Sequence, residues 1–446
     1  MTDQTAARLP GFTHLPARLL ATIRGRPMVR NTLLQMLNQM FGIGTSVVTF
    51  AMISRTLGSA GYGQYGLALT YAAFVGIFLD AGLDTYVVTE LARAGGYPAS
   101  DGSARRLVSE ATLVRILIGM LATGAAIGLA VAVGYPVEVV AGIAILSGTT
   151  LLGAVAALLG DVFQAVLDVR LAVAAAFLSR VLTAMLIVAL FVARSLTIWT
   201  LFSVTVVGAV ASVVLAIAVA YWKGFRFTLP SLARGVHLYQ ATAPLAAWVL
   251  LGQIVHRADA IILSLVSLSP SLHLTNEETV GIYIAAYKFF DLSNALPGYV
   301  VVTLMPRLAS MARDRDAFDT YLGRWIPRMA GMGAVVAVGL AVVGGPALLL
   351  LSGPAFGPSA PILAILSIAI GLAFETSLLF AAIIALGRRQ TVVALYLVVA
   401  VANVIGNFAL DPQWAYWGAA WLTVVSQAIL CLGMLWILRD AVRWKS

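Results

Sequence analysis

The sequence is poor in several residue types on which soluble proteins depend. Its single cysteine, Cys431, lies in an apolar run, which excludes a disulfide within the chain and a cysteine-based metal site. Charged residues make up 11% of the 446 positions, whereas a soluble domain carries about 25%. Hydrophobic residues make up 61%. This composition excludes a set of ordinary soluble domains and predicts surfaces that face lipid.

The motifs of common enzyme classes are also missing. The sequence contains no Walker phosphate loop, no HExxH motif, no nucleophile elbow and no Cys/His ligand spacing. Without an ATP site, any energy that the chain uses has to come from an ion gradient or from the mass action of its ligand. We therefore predict that the chain is not an enzyme and needs no metal or cofactor, apart from a coupling H+ or Na+.

Long apolar runs recur along the chain. Each is roughly 20 residues or longer, enough to cross a hydrocarbon core of about 30 Å. The predicted class is an all-α polytopic membrane protein. Its twelve predicted spans cover residues 32–53, 64–90, 108–134, 137–164, 170–193, 196–221, 238–267, 279–306, 326–352, 359–386, 390–410 and 414–438.

The net charge of +9 follows membrane topology and does not indicate a nucleic-acid partner. Alternate loops contain only Arg55 and Arg194 as cations, whereas the other loops and both termini hold all the basic clusters. Lys and Arg collect on the cytoplasmic side of membrane proteins. Both termini are therefore predicted to lie in the cytoplasm.

The span pattern divides the chain into five segments. The segments are a basic N-terminal stretch (1–30), an N-lobe of six spans (31–222), a cytoplasmic linker (223–237), a C-lobe of six spans (238–438) and a short tail (439–446). The first apolar run is too long for a removable signal peptide and is followed by no small-residue cleavage site.

The two halves contain an internal repeat. "YGQYGLALTYAAF" aligns with "VGIYIAAYKFFDL" at an offset of 218 residues, and "FQAVLDVR" aligns with "FAAIIALGRR" at nearly the same offset. In the first alignment, Gly63 falls on Gly281 and Tyr65 on Tyr283. Because each half has six spans, an even number, both halves enter the membrane from the same side. The repeats are therefore predicted to be parallel and related by an axis along the membrane normal. Such repeats are typical of transporters whose cargo site lies between the halves, here predicted around a central cavity.

Several motifs resemble one known family. The segment 53–83 contains Leu57-Gly58, Tyr62-Gly63 and Asp80-Ala81-Gly82-Leu83 in order, and the second half contains "RADAIILS", "TLMPRLASM" and "ANVIGNFALDPQWAYWGAAW". Their order and spacing resemble polysaccharide flippases, the Wzx-like branch of the multidrug/oligosaccharidyl-lipid/polysaccharide (MOP) exporter superfamily.

This resemblance implies a two-lobed fold like that of multidrug exporters and a location in a bacterial inner membrane. It also implies a substrate, an undecaprenyl-diphosphate-linked repeat unit of O-antigen or another exported polysaccharide such as an exopolysaccharide. Such a chain would move its substrate by alternating access and contribute to lipopolysaccharide or polysaccharide biosynthesis. Polymerase and chain-length proteins of the same pathway are candidate partners.

Basic side chains inside the predicted spans suggest a binding site for the substrate. A charge at a helix centre costs at least about 2.5–3.5 kcal/mol, so it is expected to face a partner or a wet cavity. Arg257 and Lys288 fall about 10–12 Å from the outer surface on consecutive helices. With His256 and Arg180 they are candidates to bind a diphosphate, while Asp259 partly neutralises Arg257. A salt-bridge cluster that only fixes helix packing remains the alternative.

Acidic side chains in the spans are candidates for ion coupling or for the cavity wall. Asp80 precedes Gly82 and could instead satisfy backbone groups at a distorted turn, and Asp161 could pair with Arg180. Arg115 is expected to extend toward the cytoplasmic surface. The candidate acids are Asp80, Asp84, Asp161, Asp259, Asp291 and Glu375.

Three other functions compete with this prediction. A drug or cation antiporter of the same superfamily would favour a cavity lined by acids. The basic side chains inside the predicted spans argue against such a cavity. A membrane polymerase or glycosyltransferase usually needs ionisable residues on a sizeable outer loop, and the longest outer loop here is only "SLSPSLHLTNEET". A channel is the weakest alternative, because no short re-entrant segment is visible.

Overall fold

The computed structural model describes residues 27–93, 102–165 and 170–439, and in these ranges it contains helices and no strand. The predicted N-terminal segment up to residue 26 and the tail from residue 440 lie outside the described residues. The helices are α1 (Pro27–Asp80), α2 (Leu83–Arg93), α3 (Ser103–Val133), α4 (Val137–Ala165), α5 (Arg170–Val192), α6 (Ile198–Trp222), α7 (Leu232–Leu265), α8 (Asn276–Met311), α9 (Arg315–Gly339), α10 (Gly345–Ser352), α11 (Ser359–Ala385), α12 (Arg389–Trp414) and α13 (Tyr416–Arg439).

These helices correspond to the twelve predicted spans. Gly58 has a φ of 67°, a left-handed value that breaks α1 into spans 1 and 2, and α2 continues span 2. Helices α3 to α8 are spans 3 to 8. Span 9 consists of α9, a π-helical turn (Leu340–Gly344) and α10, and α11 to α13 are spans 10 to 12. The all-α polytopic fold predicted from the sequence is confirmed.

Length and composition alone identify fewer membrane-crossing helices. Eight helical stretches in the described part of the chain meet that test, and one of them, Asn38–Leu91, contains both spans 1 and 2. Span 8 is not among the eight, and it contains Lys288 and Asp291. Spans 5 and 7 are also missing from the eight.

The linker between the lobes is shorter than predicted. Helix α7 begins at Leu232, six residues before the predicted start of span 7, and its first turns pack on the N-lobe. Arg234 Nε lies 2.7 Å from Glu110 Oε1 on span 3, and the Tyr239 hydroxyl donates to the Phe78 carbonyl at 3.0 Å. The linker residues therefore extend span 7 as a helix, because the N-lobe provides partners for its polar side chains.

Gly63 and Gly281, which the internal repeat aligns, lie next to each other where the two lobes touch. A Cβ atom added to Gly63 would overlap the Glu277 carbonyl and lie 2.9 Å from the Gly281 nitrogen. A Cβ added to Gly281 would overlap the Ser59 carbonyl and lie 3.0 Å from the Gly63 nitrogen. Ser59 and Glu277 are also 218 residues apart, so the two contacts exchange under the repeat. This reciprocity is what a two-fold axis between spans 2 and 8 requires.

This end of the bundle holds the loops after spans 1, 3, 7 and 9, and we call it the distal end. The lobes touch there at two further places. Arg55, at the end of span 1, donates from Nε to the Leu351 carbonyl of span 9 at 2.8 Å. The hydroxyl groups of Tyr135 and Ser264 lie 2.6 Å apart and join the N-lobe to span 7. The distal end is therefore closed in this structure.

Candidate functional site

A polar cavity of about 90 Å³ lies between the lobes. One face of span 2 and the facing sides of spans 7 and 8 form its walls. On span 8 the lining positions recur every three or four residues, so they share one helical face. The lining residues that carry polar groups are Tyr62, Thr70, His256, Arg257, Tyr283, Tyr287, Lys288 and Asp291.

Arg257 is held at the cavity wall by two side chains. Its Nη2 lies 2.9 Å from Asp291 Oδ2 on span 8, and its Nε donates to Gln253 Oε1 at 3.0 Å, one helical turn away. The Arg257 and Asp291 side chains are 32% and 34% exposed. The pair is thus accessible from the cavity, and the guanidinium keeps N–H groups beyond those that bind Asp291 and Gln253.

Lys288 brings a second cation to the same cavity. Among the described residues it has no hydrogen-bond or ion-pair partner, and no carboxylate lies within 4.0 Å of its ammonium group. The buried Nδ1 of His256 also lacks a partner in the described part of the chain. Two cations and one carboxylate leave the cavity with a net positive charge and with unused donors.

Asp259 does not neutralise Arg257, contrary to the expectation from the sequence. Residues two apart on a helix point in nearly opposite directions, so Asp259 faces the interior of the C-lobe while Arg257 faces the cavity. The Asp259 side chain is fully buried and accepts hydrogen bonds from Tyr283 Oη at 2.7 Å and Thr423 Oγ1 at 2.9 Å. It also accepts one from Asn407 Nδ2 at 3.1 Å.

Asp411 lies one helical turn beyond Asn407 and completes a buried acid cluster, defined here as Asp259, Asn407, Asp411 and Thr423. Asp411 is fully buried, and its charge interacts with that of Asp259. Both of its carboxylate oxygens and Asn407 Oδ1 lack a hydrogen-bond partner among the described residues. Several unsatisfied oxygen acceptors therefore lie around two acids that the described residues do not neutralise.

The span 11 predicted from the sequence ends at residue 410 and therefore leaves out Asp411. The helix continues to Trp414 through Pro412, so "DPQW" is the last turn of span 11 and not a loop. The signal that was available is the spacing of Asn403, Asn407 and Asp411 by four residues, which puts three polar side chains on one helical face.

The first-half acids have other surroundings. Arg115 is fully buried and donates to Asp84 Oδ1 and to the Ala154 carbonyl, both at 2.6 Å, so it does not extend to the surface as expected. Asp84 is thus already paired with a cation. Asp80 is exposed, and its Oδ1 accepts from the Asp84 amide at 3.5 Å where the helix restarts after Ala81 and Gly82.

The remaining candidates lie away from the cavity or cannot be placed. Arg180 is exposed on span 5 and donates to the Asn38 carbonyl at 3.1 Å, and it does not line the polar cavity. The side chain of Asp161 lies outside the described residues, so its pairing with Arg180 stays a prediction. Glu375 is half-buried on span 10, and its Oε1 lacks a partner in the part of the chain that the structure describes.

Solved structures with the same fold are transporters. An inward-facing multidrug resistance MATE family transporter of the MOP superfamily has a TM-score of 0.70 at 15% identity, covering 91% of this chain and 97% of that one. Lipid II flippase MurJ in an inward closed conformation has a TM-score of 0.66 at 14% identity, covering 91% and 87%. A MOP superfamily transporter from Pyrococcus furiosus has a TM-score of 0.58 at 16% identity, covering 93% and 97%. A comparison with curated proteins found no match.

The two six-span lobes with a polar cavity between them therefore have the fold of these transporters. A family model described as "Polysaccharide biosynthesis protein" matches residues 28–312, more than half of the chain. The chain belongs to this family.

Proposed function

We propose that this chain flips an undecaprenyl-diphosphate-linked oligosaccharide, an O-antigen or related polysaccharide repeat unit, between the leaflets of a bacterial inner membrane by alternating access. The observation that carries the proposal is the net positive polar cavity formed by Arg257, Lys288 and Asp291 between the lobes. The planar guanidinium of Arg257 fits two phosphate oxygens, and the Lys288 ammonium adds a point charge. A cationic drug would be repelled by the same pair.

The charge balance of the cavity suits a reversible ligand. In the empty cavity Asp291 occupies part of the Arg257 guanidinium, which reduces the cost of keeping that cation inside the membrane. An incoming diphosphate would use the remaining N–H groups and the free Lys288 ammonium. Arg257 therefore has an anionic partner in both states, and Lys288 gains one when the diphosphate binds.

The direct test of this function is translocation by the purified protein in vesicles of phosphatidylethanolamine and phosphatidylglycerol. A polyprenyl-diphosphate-linked monosaccharide, initially in both leaflets, is followed by its accessibility to an added enzyme that modifies the sugar. We expect the protein to expose the protected inner-leaflet fraction, and protein-free vesicles not to do so. An equal protected fraction with and without protein would refute the proposed activity.

We also infer that the distal end faces the outside and that both termini face the cytoplasm, because Lys and Arg collect at the opposite, proximal end. In a Cys431→Ser background, Ser271→Cys should react with an impermeant maleimide added to intact cells. The exposed Ser310→Cys at the proximal end should react only after the membrane is permeabilised. Labelling of Ser310→Cys alone in intact cells would reverse the orientation.

The buried acid cluster is proposed as the site of a coupling cation. Two buried carboxylates, of which Asp411 has both oxygens unsatisfied, favour uptake of a proton or of a small hard cation such as Na+, which prefers oxygen ligands. Tyr283 connects this cluster to the polar cavity, since its hydroxyl binds Asp259 while its ring lines the cavity. Cation occupancy could therefore be transmitted to the diphosphate site through span 8.

Asp259→Asn and Asp411→Asn are expected to remove the dependence of transport on the cation gradient, because each deletes one of the two charges that would hold the cation. Transport would be measured in vesicles with a sodium gradient or a pH gradient, each dissipated by the matching ionophore. Asp316→Asn, the same change at an exposed position in the first turn of α9, is the control and should behave as wild type. Full gradient dependence in both cluster variants would exclude this site.

A further inference from the structure

A second recess, larger than the polar cavity, lies between spans 2, 3 and 7. This apolar groove has a volume of about 540 Å³, within the range of about 300–1,000 Å³ typical of small-molecule sites. Its walls include Tyr71 and Phe78 of span 2, Ala122 and Ala125 of span 3, and Tyr239 and Ile261 of span 7. Along span 3 it extends from Ile118 to Leu129, a rise of about 16 Å, which is about half of a hydrocarbon core of about 30 Å.

The groove and the polar cavity lie on the two sides of the contact between spans 2 and 7. Thr70 lines the cavity and the next residue, Tyr71, lines the groove. On span 7, Ala260 likewise lines the cavity and the next residue, Ile261, lines the groove. Only the thickness of this helix contact therefore separates the Arg257 guanidinium from an apolar surface.

The groove offers hydrocarbon contacts and no free polar group. Its two tyrosine hydroxyls already have partners: Tyr239 Oη donates to the Phe78 carbonyl, and Tyr71 Oη lies 3.4 Å from Tyr135 Oη. These contacts also border the groove toward its two ends. Small side chains at Ala122 and Ala125 line it, while Leu121 and Leu129 on the same helix are 71% and 54% exposed. The ligand that fits is an apolar chain that enters from the lipid.

We propose that the apolar groove holds the polyprenyl chain of the lipid-linked substrate while its diphosphate is bound at Arg257 and Lys288. This inference rests on the proposed flippase function and adds a route for the tail, across the contact between spans 2 and 7. A substrate with an anionic head and a long apolar tail needs a polar and an apolar site side by side. The structure places these two sites next to each other.

The test compares tail-length selectivity in matched tryptophan variants. The purified full-length protein, in nanodiscs of phosphatidylethanolamine and phosphatidylglycerol, is titrated with undecaprenyl diphosphate and with geranyl diphosphate, which share the head group. Wild type is expected to prefer undecaprenyl diphosphate by at least about tenfold. Ala125→Trp, which fills the groove, should bind both ligands equally and keep the wild-type affinity for geranyl diphosphate. Ala402→Trp, at an exposed alanine of span 11, should keep the preference.

Retention of the preference by Ala125→Trp would overturn the groove assignment, as would its loss in Ala402→Trp. If wild type binds neither diphosphate, the proposed function fails and the groove assignment falls with it. If Ala125→Trp does not fold, photocrosslinking of wild type decides. Undecaprenyl diphosphate with a tail diazirine should label the span 3 segment 118–129. Labelling elsewhere, or its removal by excess phosphatidylglycerol, would mark the groove as an ordinary lipid contact and overturn the proposal.

Discussion

Replacing Arg257 by alanine is expected to lower the translocation rate by about 10–100-fold. A hydrogen bond to a charged group contributes about 1.5–3 kcal/mol, and Arg257 offers several such donors to a diphosphate in the polar cavity. Lys288→Ala should have an effect of similar size. Arg257→Lys should recover little, because a lysine lacks the planar fork that binds two oxygens. The rates would be measured in the vesicle assay, with protein inserted and folded to wild-type levels.

The Arg257 result has to be separated from a loss of packing. Removing Arg257 leaves the Asp291 carboxylate without its partner, and this cost is reduced because both side chains are about one-third exposed. The double variant Arg257→Ala/Asp291→Asn removes the stranded charge. It should regain any lost stability and still fail to transport. Near wild-type transport by the double variant would mean that the pair only fixes the packing of spans 7 and 8.

Replacing Gly63 by valine is expected to prevent closure of the distal end and to abolish transport. A Cβ at Gly63 would overlap the backbone carbonyl of Glu277, which cannot rotate away as a side chain could. Overpacking costs about 1–3 kcal/mol where side chains can adjust, so the closed state should fall by at least about tenfold relative to the open one. Gly281→Val should act in the same way, because its Cβ would overlap the Ser59 carbonyl.

Closure can be followed through a pair that spans the lobes. In a Cys431→Ser background, Tyr135→Cys and Ser264→Cys together should be joined by a short bifunctional thiol reagent, since their native hydroxyls lie 2.6 Å apart. Adding Gly63→Val should greatly reduce this crosslink. Gly44→Val is the matched control. It makes the same change in helix propensity as Gly63→Val, but a Cβ at Gly44 meets no atom within 4 Å. Unchanged crosslinking and transport in Gly63→Val would show that the close approach is dispensable.

The sequence by itself determined the membrane class, the twelve spans and the grouping of Arg257 with Lys288, whereas the parallel sense of its repeat stays a prediction. Hydropathy and the placement of Lys and Arg act along the chain, so span positions and depths follow from counting residues. The 218-residue offset likewise paired Gly63 with Gly281, which the structure finds in contact. Depth alone brought Arg257 and Lys288 to one level, and both line one cavity.

Only the tertiary structure decided which way the intramembrane side chains point and what they meet. Asp259 turns from Arg257 into the C-lobe, and Arg115 is buried against Asp84. Asp411 on span 11 joins Asp259 on span 7 in one buried cluster. The rotation of each helix about its axis depends on packing against helices distant in sequence, which a one-dimensional pattern does not contain. The apolar groove depends on the same packing, because spans 2, 3 and 7 form it together.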